Sequence, residues 1–317
     1  CADIFERKVT DILIPGGKDY PALIGDDNLP FENAGVLKTT GFELQAKWSD
    51  KLSNGFAYSV GVALSDDKAE VLSYPSNPTN KIGDGVLYKG YTVGDIWGYE
   101  TGGILQESDF DGVGPNGKPL YHGAYFKGGQ PYPGYVWYQD LDHDGVITSG
   151  LSTVDDPGDK KVIGNNAPRY RYNITANFQY KGFDLDLMFQ GVGKRDYWLK
   201  DVSSYWGGGA GSWETYNQSW TPERTDAKFP MYGSGIGSYA QSGYLLDASY
   251  IKLKQVILGY TFPKALIGKV GLKKLRLNIA AYNLFTLSDV PKYYDSDYLS
   301  DAYPPKRTFS VGIQVGF

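Results

Sequence analysis

Several stretches of the chain place apolar residues at every second position, the period of a strand whose two faces meet different surroundings. In the last of them Phe309, Val311, Ile313, Val315 and Phe317 share one face, while Ser310, Gly312, Gln314 and Gly316 share the other. Tyr170, Tyr172, Ile174, Ala176, Phe178 and Tyr180 alternate in the same way with Arg169, Arg171, Asn173, Thr175, Asn177 and Gln179. Phe183, Leu185, Leu187 and Phe189 alternate with Asp184, Asp186, Met188 and Gln190. Phe42, Leu44, Ala46 and Trp48 oppose Glu43, Gln45 and Lys47, and Phe56, Tyr58, Val60, Val62 and Leu64 form the next such row. Leu275, Leu277 and Ile279 predict a further strand. Between Tyr250 and Phe262 the phase slips: Ile251 and Leu253 have one parity, Val256, Leu258, Tyr260 and Phe262 the other. One extra residue near Lys254, a β-bulge, restores the register. The opening segment, from Ala2 to Ile14, alternates poorly and is read as a strand with broken phase.

About eight strands result, and the lengths of their connections carry more information than their number. Short connections near 50–54, 181–182 and 263–269 alternate strictly with long ones near 15–35, 73–168, 201–242 and 289–305. Short turns at one rim and long loops at the other describe a transmembrane barrel. A soluble sandwich buries its apolar faces against each other and has no reason to sort its connections. The pattern therefore predicts an all-β, antiparallel transmembrane β-barrel architecture with long extracellular loops, 73–168 forming one large loop region. Apolar faces then meet lipid, and Glu43, Arg169, Arg171, Asp184 and Asp186 line a wet lumen.

Composition narrows the function classes. With 31 basic and 36 acidic residues and a net charge of -5, the chain lacks the basic surface that phosphate neutralisation requires, so no nucleic-acid partner is expected. The 27 tyrosines and 41 glycines suit strands, turns and interfacial aromatic belts. One cysteine and two histidines leave no internal disulfide framework and make a Cys/His zinc site a poor fit. No apolar run is long enough for a transmembrane helix.

Eight stretches, in this order, carry a family resemblance. They are TGFELQAKW from Thr40, YTVGDIWGYETGGILQ from Tyr91, YQDLDHDG from Tyr138, and VIGNNAPRYRYNITANFQYKGFDLDLMFQGVGK from Val162. WTPERTDAKFP from Trp220, DASYIKLKQVILGYTFP from Asp247, LRLNIAAYNLFT from Leu275 and YPPKRTFSVGIQVGF from Tyr303 follow. Nearly the whole chain thereby resembles the C-terminal part of SusC/RagA-type TonB-dependent transporters of the Bacteroidetes outer membrane. The resemblance implies that residues 1–317 supply the last eight or so strands of a barrel of about twenty-two. It also implies an outer-membrane location and a SusD-like surface lipoprotein over the mouth. The TonB complex would act through parts outside this chain. Phe317 resembles the aromatic signal read by the barrel-assembly machinery.

The sharpest chemical motif is Asp140-Leu-Asp142-His-Asp144-Gly145-Val146. Carboxylates at the first, third and fifth positions, a glycine at the sixth for the sharp turn and a carbonyl at the seventh match the first half of an EF-hand-like calcium loop. Leu151 occupies the position where the twelfth-place acid is usual. In the resembling family this loop often runs into Asp-Arg-x-x-Ile-Gly. The comparable stretch here, Asp159 to Gly164, is displaced by an insertion of about eight residues. The resemblance thus implies that Asp159 closes the site, with Asp155 or Asp156 as substitutes. The expected ligands are Asp140, Asp142, Asp144, the Val146 carbonyl and Asp159, holding a structural Ca²⁺; a solvated acidic turn is the alternative.

Loop aromatics Trp97, Tyr99, Trp137, Tyr205, Trp206 and Trp213 are candidates for stacking on a sugar ligand; packing the loops or touching a cap protein is the competing role for each. The expected function is TonB-driven import of a large nutrient, an oligosaccharide first and a peptide as the variant. A surface glycan-active enzyme would need two carboxyls facing one cleft, whereas the acids here gather in the calcium-like loop and on the polar strand faces. A small autonomous structural barrel is the remaining alternative, since eight strands can close.

Overall fold

The computed structural model describes residues 1–16, 30–198, 216–232, 234, 239–290, 295–299 and 305–317. Eight long strands form one antiparallel sheet, each paired with the next in chain order. They are β1 (Ala2–Pro15), β2 (Phe31–Lys51), β3 (Ala57–Ser73), β4 (Arg169–Tyr180), β5 (Phe183–Lys194), β6 (Tyr250–Thr261), β7 (Lys274–Ser288) and β8 (Thr308–Gly316). No helix of the described residues is long and apolar enough to cross a membrane. The crossing elements are strands.

Register shows what each face is for. Tyr58, Phe178, Leu185, Leu258, Ile279 and Val311 are consecutive partners across six strands, an apolar row on one face. One residue along, Gln179, Asp184, Gly259, Asn278 and Gly312 form a polar row on the other face. The apolar row is not buried against protein: Leu258 is 47% exposed, Ile279 56% and Val311 76%. An apolar band this continuous is stable when hydrocarbon covers it, as on the outside of a membrane barrel. On the polar face Arg276 donates to Asp184, and at the long-loop end of the sheet Arg169 donates to Asp66 from both Nε and Nη2. Gly259 makes room for the first pair, since a Cβ there would overlap both side chains.

The predicted bulge is present. The β6 pairing shifts between Leu253 and Gln255, and the partner strand shifts between Met188 and Phe189, so Lys254 is the extra residue and both halves of β6 keep their apolar side outward. The poor alternation of β1 has the same kind of cause: its pairing with β2 is irregular between Val9 and Ile12, and Asp11 adopts a left-handed φ of 57°, a conformation that aspartate tolerates better than most residues. Strand β2 begins at Phe31, inside the stretch read from sequence as loop, and runs 21 residues. A tilted crossing needs only about 9–11 residues, so one end of β2 stands clear of the bilayer, where neither face needs to be apolar.

Phe56 stacks near Tyr58 and Phe178, and Phe183, Tyr260 and Phe262 pack together. These rings cluster beside the short connections, where an interfacial aromatic girdle belongs. At the opposite rim the 73–168 region folds on small cores of its own. One core holds Tyr99, Val136, Tyr138 and Ile147; another packs Ile82, Tyr88 and Tyr91 on Val71 at the end of β3. Its short strand pairs join Asp95–Tyr99 to Lys160–Asn165, Thr101–Ile104 to Val136–Tyr138, and Tyr125–Phe126 to Val146–Ile147.

Candidate functional site

The acidic loop is built by side chains that accept from backbone amides a few residues ahead, the habit that makes aspartate a turn former. Asp140 accepts from the N–H groups of His143 at 2.7 Å and Gly145 at 2.8 Å. Asp142 accepts from the Asp144 N–H and Asp144 from the Val146 N–H. His143 and Gly145 take positive φ values of 62° and 86°, which wind the loop tightly.

Asp159 arrives from outside the loop. Its carboxylate is fully buried and clamps the two ends of the motif, accepting from the Leu141 and Thr148 N–H groups at 2.7 Å each. The intervening insertion is pinched at its base by Gly150 and Gly158, both with positive φ and so close that a Cβ on either would strike the other's backbone. Its tip is held elsewhere: the Ile82 N–H donates to the Ser152 carbonyl and the Val154 N–H to the Asn80 carbonyl.

One carboxylate oxygen each of Asp140, Asp142 and Asp159 lies within 4.8 Å of the others. Asp144, Asp155 and Asp156 are not members of this group. Burial pushes the Asp140 carboxyl up, but the N–H groups of Gly145 and His143 outweigh it and hold the pKa below its usual value. Asp142 goes the other way. The Asp144 N–H lowers it, yet desolvation and the charges of Asp144, Asp159 and Asp140 leave it raised. A donor set of oxygens alone, with like charges pressed together, fits a hard divalent cation such as Ca²⁺.

The aromatic candidates separate. Trp97 is half-buried, with its Nε1 donating to the Tyr88 hydroxyl at 2.9 Å. Trp137 lies on the loop surface, 36% exposed, its ring covering Gly102. Tyr99 does not fit a ligand-stacking role: it is 3% exposed and enclosed edge-on by Phe126, Tyr138 and Tyr239. Burial pushes its hydroxyl up to about 12. Tyr99 and Trp97, two residues apart, share one face of their short strand, and it is the packing of Val136, Tyr138 and Ile147 around Tyr99 that buries it. Tyr205, Trp206 and Trp213 lie outside the described residues. Phe317 follows β8 and is exposed.

A charge network that the sequence reading did not single out sits on the polar face. Lys252, 3% exposed, donates to Asp295 at 2.7 Å and to Asp297 at 2.8 Å, and Lys254 on the bulge donates to Asp297 at 3.1 Å. Ala248, Val290 and Leu299 pack beside it. The connection between β7 and β8 is thus pinned to the inner wall, at the edge of a 610 Å³ cavity that Glu43, Arg171, Gln190 and Arg195 also line. An Asp-Ser-Asp run in a long loop was the available signal, but nothing local indicates which lysines meet it.

Comparison with family models gives no match. Among curated proteins, two from Formosa agariphila align over 99% of the chain: TonB-dependent receptor P3 at 26% identity and TonB-dependent receptor P26 at 24%, each over 32% of its own length. The chain is a relative of the TonB-dependent receptors. Among solved structures, the RagAB peptide importer in its open-open state superposes on 100% of the chain and 32% of its own, with a TM-score of 0.70 at 20% identity. A second structure of the RagAB peptide transporter gives 0.69 at 20% identity. The chain spans about a third of the length of these relatives. The resemblance read from the eight motifs holds. The eight-stranded sheet is a portion of an outer-membrane β-barrel wall.

Proposed function

We propose that the chain forms part of the wall and mouth of a TonB-dependent importer for a large nutrient, a role without enzymatic chemistry. The observation that carries this is an apolar outer row across six strands beside a polar inner row across five of them, with long connections gathered at one rim. Such a wall admits a solvated ligand through its lumen, and such a rim offers the surface that selects it. In this reading residues 1–317 are the C-terminal part of the barrel and 73–168 is an extracellular loop region. Plug and TonB contact belong to parts of the protein outside this chain, and a SusD-like lipoprotein covers the mouth. Asp140, Asp142 and Asp159, with Asp144 and the Val146 carbonyl able to complete the shell, hold a structural Ca²⁺ that fixes the large loop.

The ligand we assign first is an oligosaccharide, met by loop aromatics such as Trp97 and Trp137. A peptide is the second reading, favoured by the likeness to the RagAB peptide importer. Deletion of the gene, followed by growth on single polysaccharides and on peptides, tests both. Loss of growth on one polysaccharide is the expected result, and loss on peptides alone reassigns the ligand. Undiminished growth on every polymer of both classes would sink the import reading.

A further inference from the structure

A second cavity, of 570 Å³, opens among the loops, within the size range of sites that hold small ligands. Its described lining brings together segments far apart in sequence: Asp84, Tyr91, Asp95 and Trp97 from the first half of the large loop region, Asn166 from its end, and Trp198 from the next long connection. Two carboxylates stand there with aromatic rings, and no lysine or arginine is among the described lining residues.

The walls are fixed in place. Trp97 is oriented by its Nε1 hydrogen bond to Tyr88. The Tyr91 hydroxyl donates to the Asp95 carbonyl and accepts from the Gly94 N–H. Asp95 Oδ1 accepts from the Asn165 side chain at 2.8 Å, which turns a carboxylate into a held acceptor. The strand Asp196–Trp198 is paired with Leu245–Asp247. The negative potential of the cavity registers on Tyr91, whose hydroxyl is raised first by burial, against the Gly94 N–H, and further by Asp95 and Asp84.

An uncharged sugar needs no net negative wall. A cation next to indole and phenol faces gains from both the ring quadrupoles and the carboxylates. We propose that this cavity binds an organic cation, a protonated amine or guanidinium carried by the imported polymer. A basic residue of a peptide and an amino sugar of a glycan present the same chemistry. The inference rests on the importer reading and decides between its two ligands.

Calorimetry on the full-length protein in detergent tests it, with tri-lysine, a glucosamine trimer and their N-acetylated, neutral counterparts as probes. One cationic probe is expected to bind and its neutral counterpart not. Asp84→Asn, a change that keeps the size of an exposed side chain, is expected to weaken binding on the order of tenfold or more. Trp97→Ala is expected to weaken it roughly 2- to 30-fold. Asp111→Asn, the same charge change at an exposed residue beside His122, should leave it unaltered. Binding of tri-lysine alone identifies the peptide source, and binding of the glucosamine trimer alone the glycan source. Equal binding of charged and neutral probes, no binding of either cation, or an Asp84→Asn titration matching wild type would overturn the proposal. None of these results touches the importer reading, which the growth experiment tests without reference to the cavity.

Discussion

Replacing Lys252 with methionine is expected to release the connection between β7 and β8 from the inner wall while the barrel stays folded. Lys252 is almost fully buried and is the shared partner of Asp295 and Asp297. Removing one member of a buried ion pair costs about 3–5 kcal/mol, because the remaining charge is left desolvated. Here the cheaper escape is for the loop to lift off and return both carboxylates to water, so the loss appears as local opening. Hydrogen exchange should show residues 295–299 losing protection, with the sheet strands unchanged; Lys252→Arg should lose far less.

The same network sets an acid limit on the latch. Burial raises the Asp297 carboxyl, but hydrogen bonds from Lys252, Tyr250 and Lys254 outweigh it and hold the pKa below the ordinary value. A carboxyl depressed in the folded state adds stability that is complete above the unfolded value of about 3.9 and is lost as pH falls through the folded one. Loop protection should therefore persist at neutral and mildly acidic pH and fail only below the usual carboxylate range. Protection unaltered in Lys252→Met would mean that the apolar contacts of Val290 and Leu299 hold the loop alone.

The second large effect is expected at Asp159. Its buried carboxylate supplies acceptors for two backbone amides, each charge-assisted bond being worth about 1.5–3 kcal/mol, and it returns the chain to the strand Lys160–Asn165 beside Trp97. Asp159→Ala should unfasten the 140–165 region whether or not a cation is present. Calcium separates from this through Asp142, which is exposed and accepts a single N–H. Calorimetry should show binding heat for wild type and none for Asp142→Ala. Calcium at a hundredfold excess over its Kd should stabilise the loop by about 2.7 kcal/mol. Identical titrations without heat would remove the cation and leave Asp159 as a purely protein clamp.

The elements legible in the sequence are those the bilayer forces into period two. Strands β4, β5 and β8 are read correctly because every second side chain must meet hydrocarbon, and the phase slip at Lys254 located a bulge for the same reason. Where a strand leaves the membrane the constraint ends. The first residues of β2 therefore look like loop, and the irregularity at Asp11 hides β1. The short strands of the large loop are held by packing on Tyr99, Val136 and Tyr138, which no local period announces. Asp159 could be traced because its motif is displaced intact. Tyr99 could not be told from Trp97, since the two share a face of one short strand and only the fold decides which of them a core covers. Lys252 and Asp295 lie 43 residues apart, and Asp84 and Trp198 meet only through tertiary structure.

The central claim is that one face of this sheet meets lipid and the other a wet lumen. Spin labels placed singly on cysteines at positions 309 to 315 of the native full-length protein in bilayers, in a background with every other cysteine replaced, measure it directly. Labels at 309, 311, 313 and 315 should collide with oxygen dissolved in the lipid, and labels at 310, 312 and 314 with a water-soluble reagent. Uniform accessibility along β8, or protection of both parities from both reagents, would contradict the account.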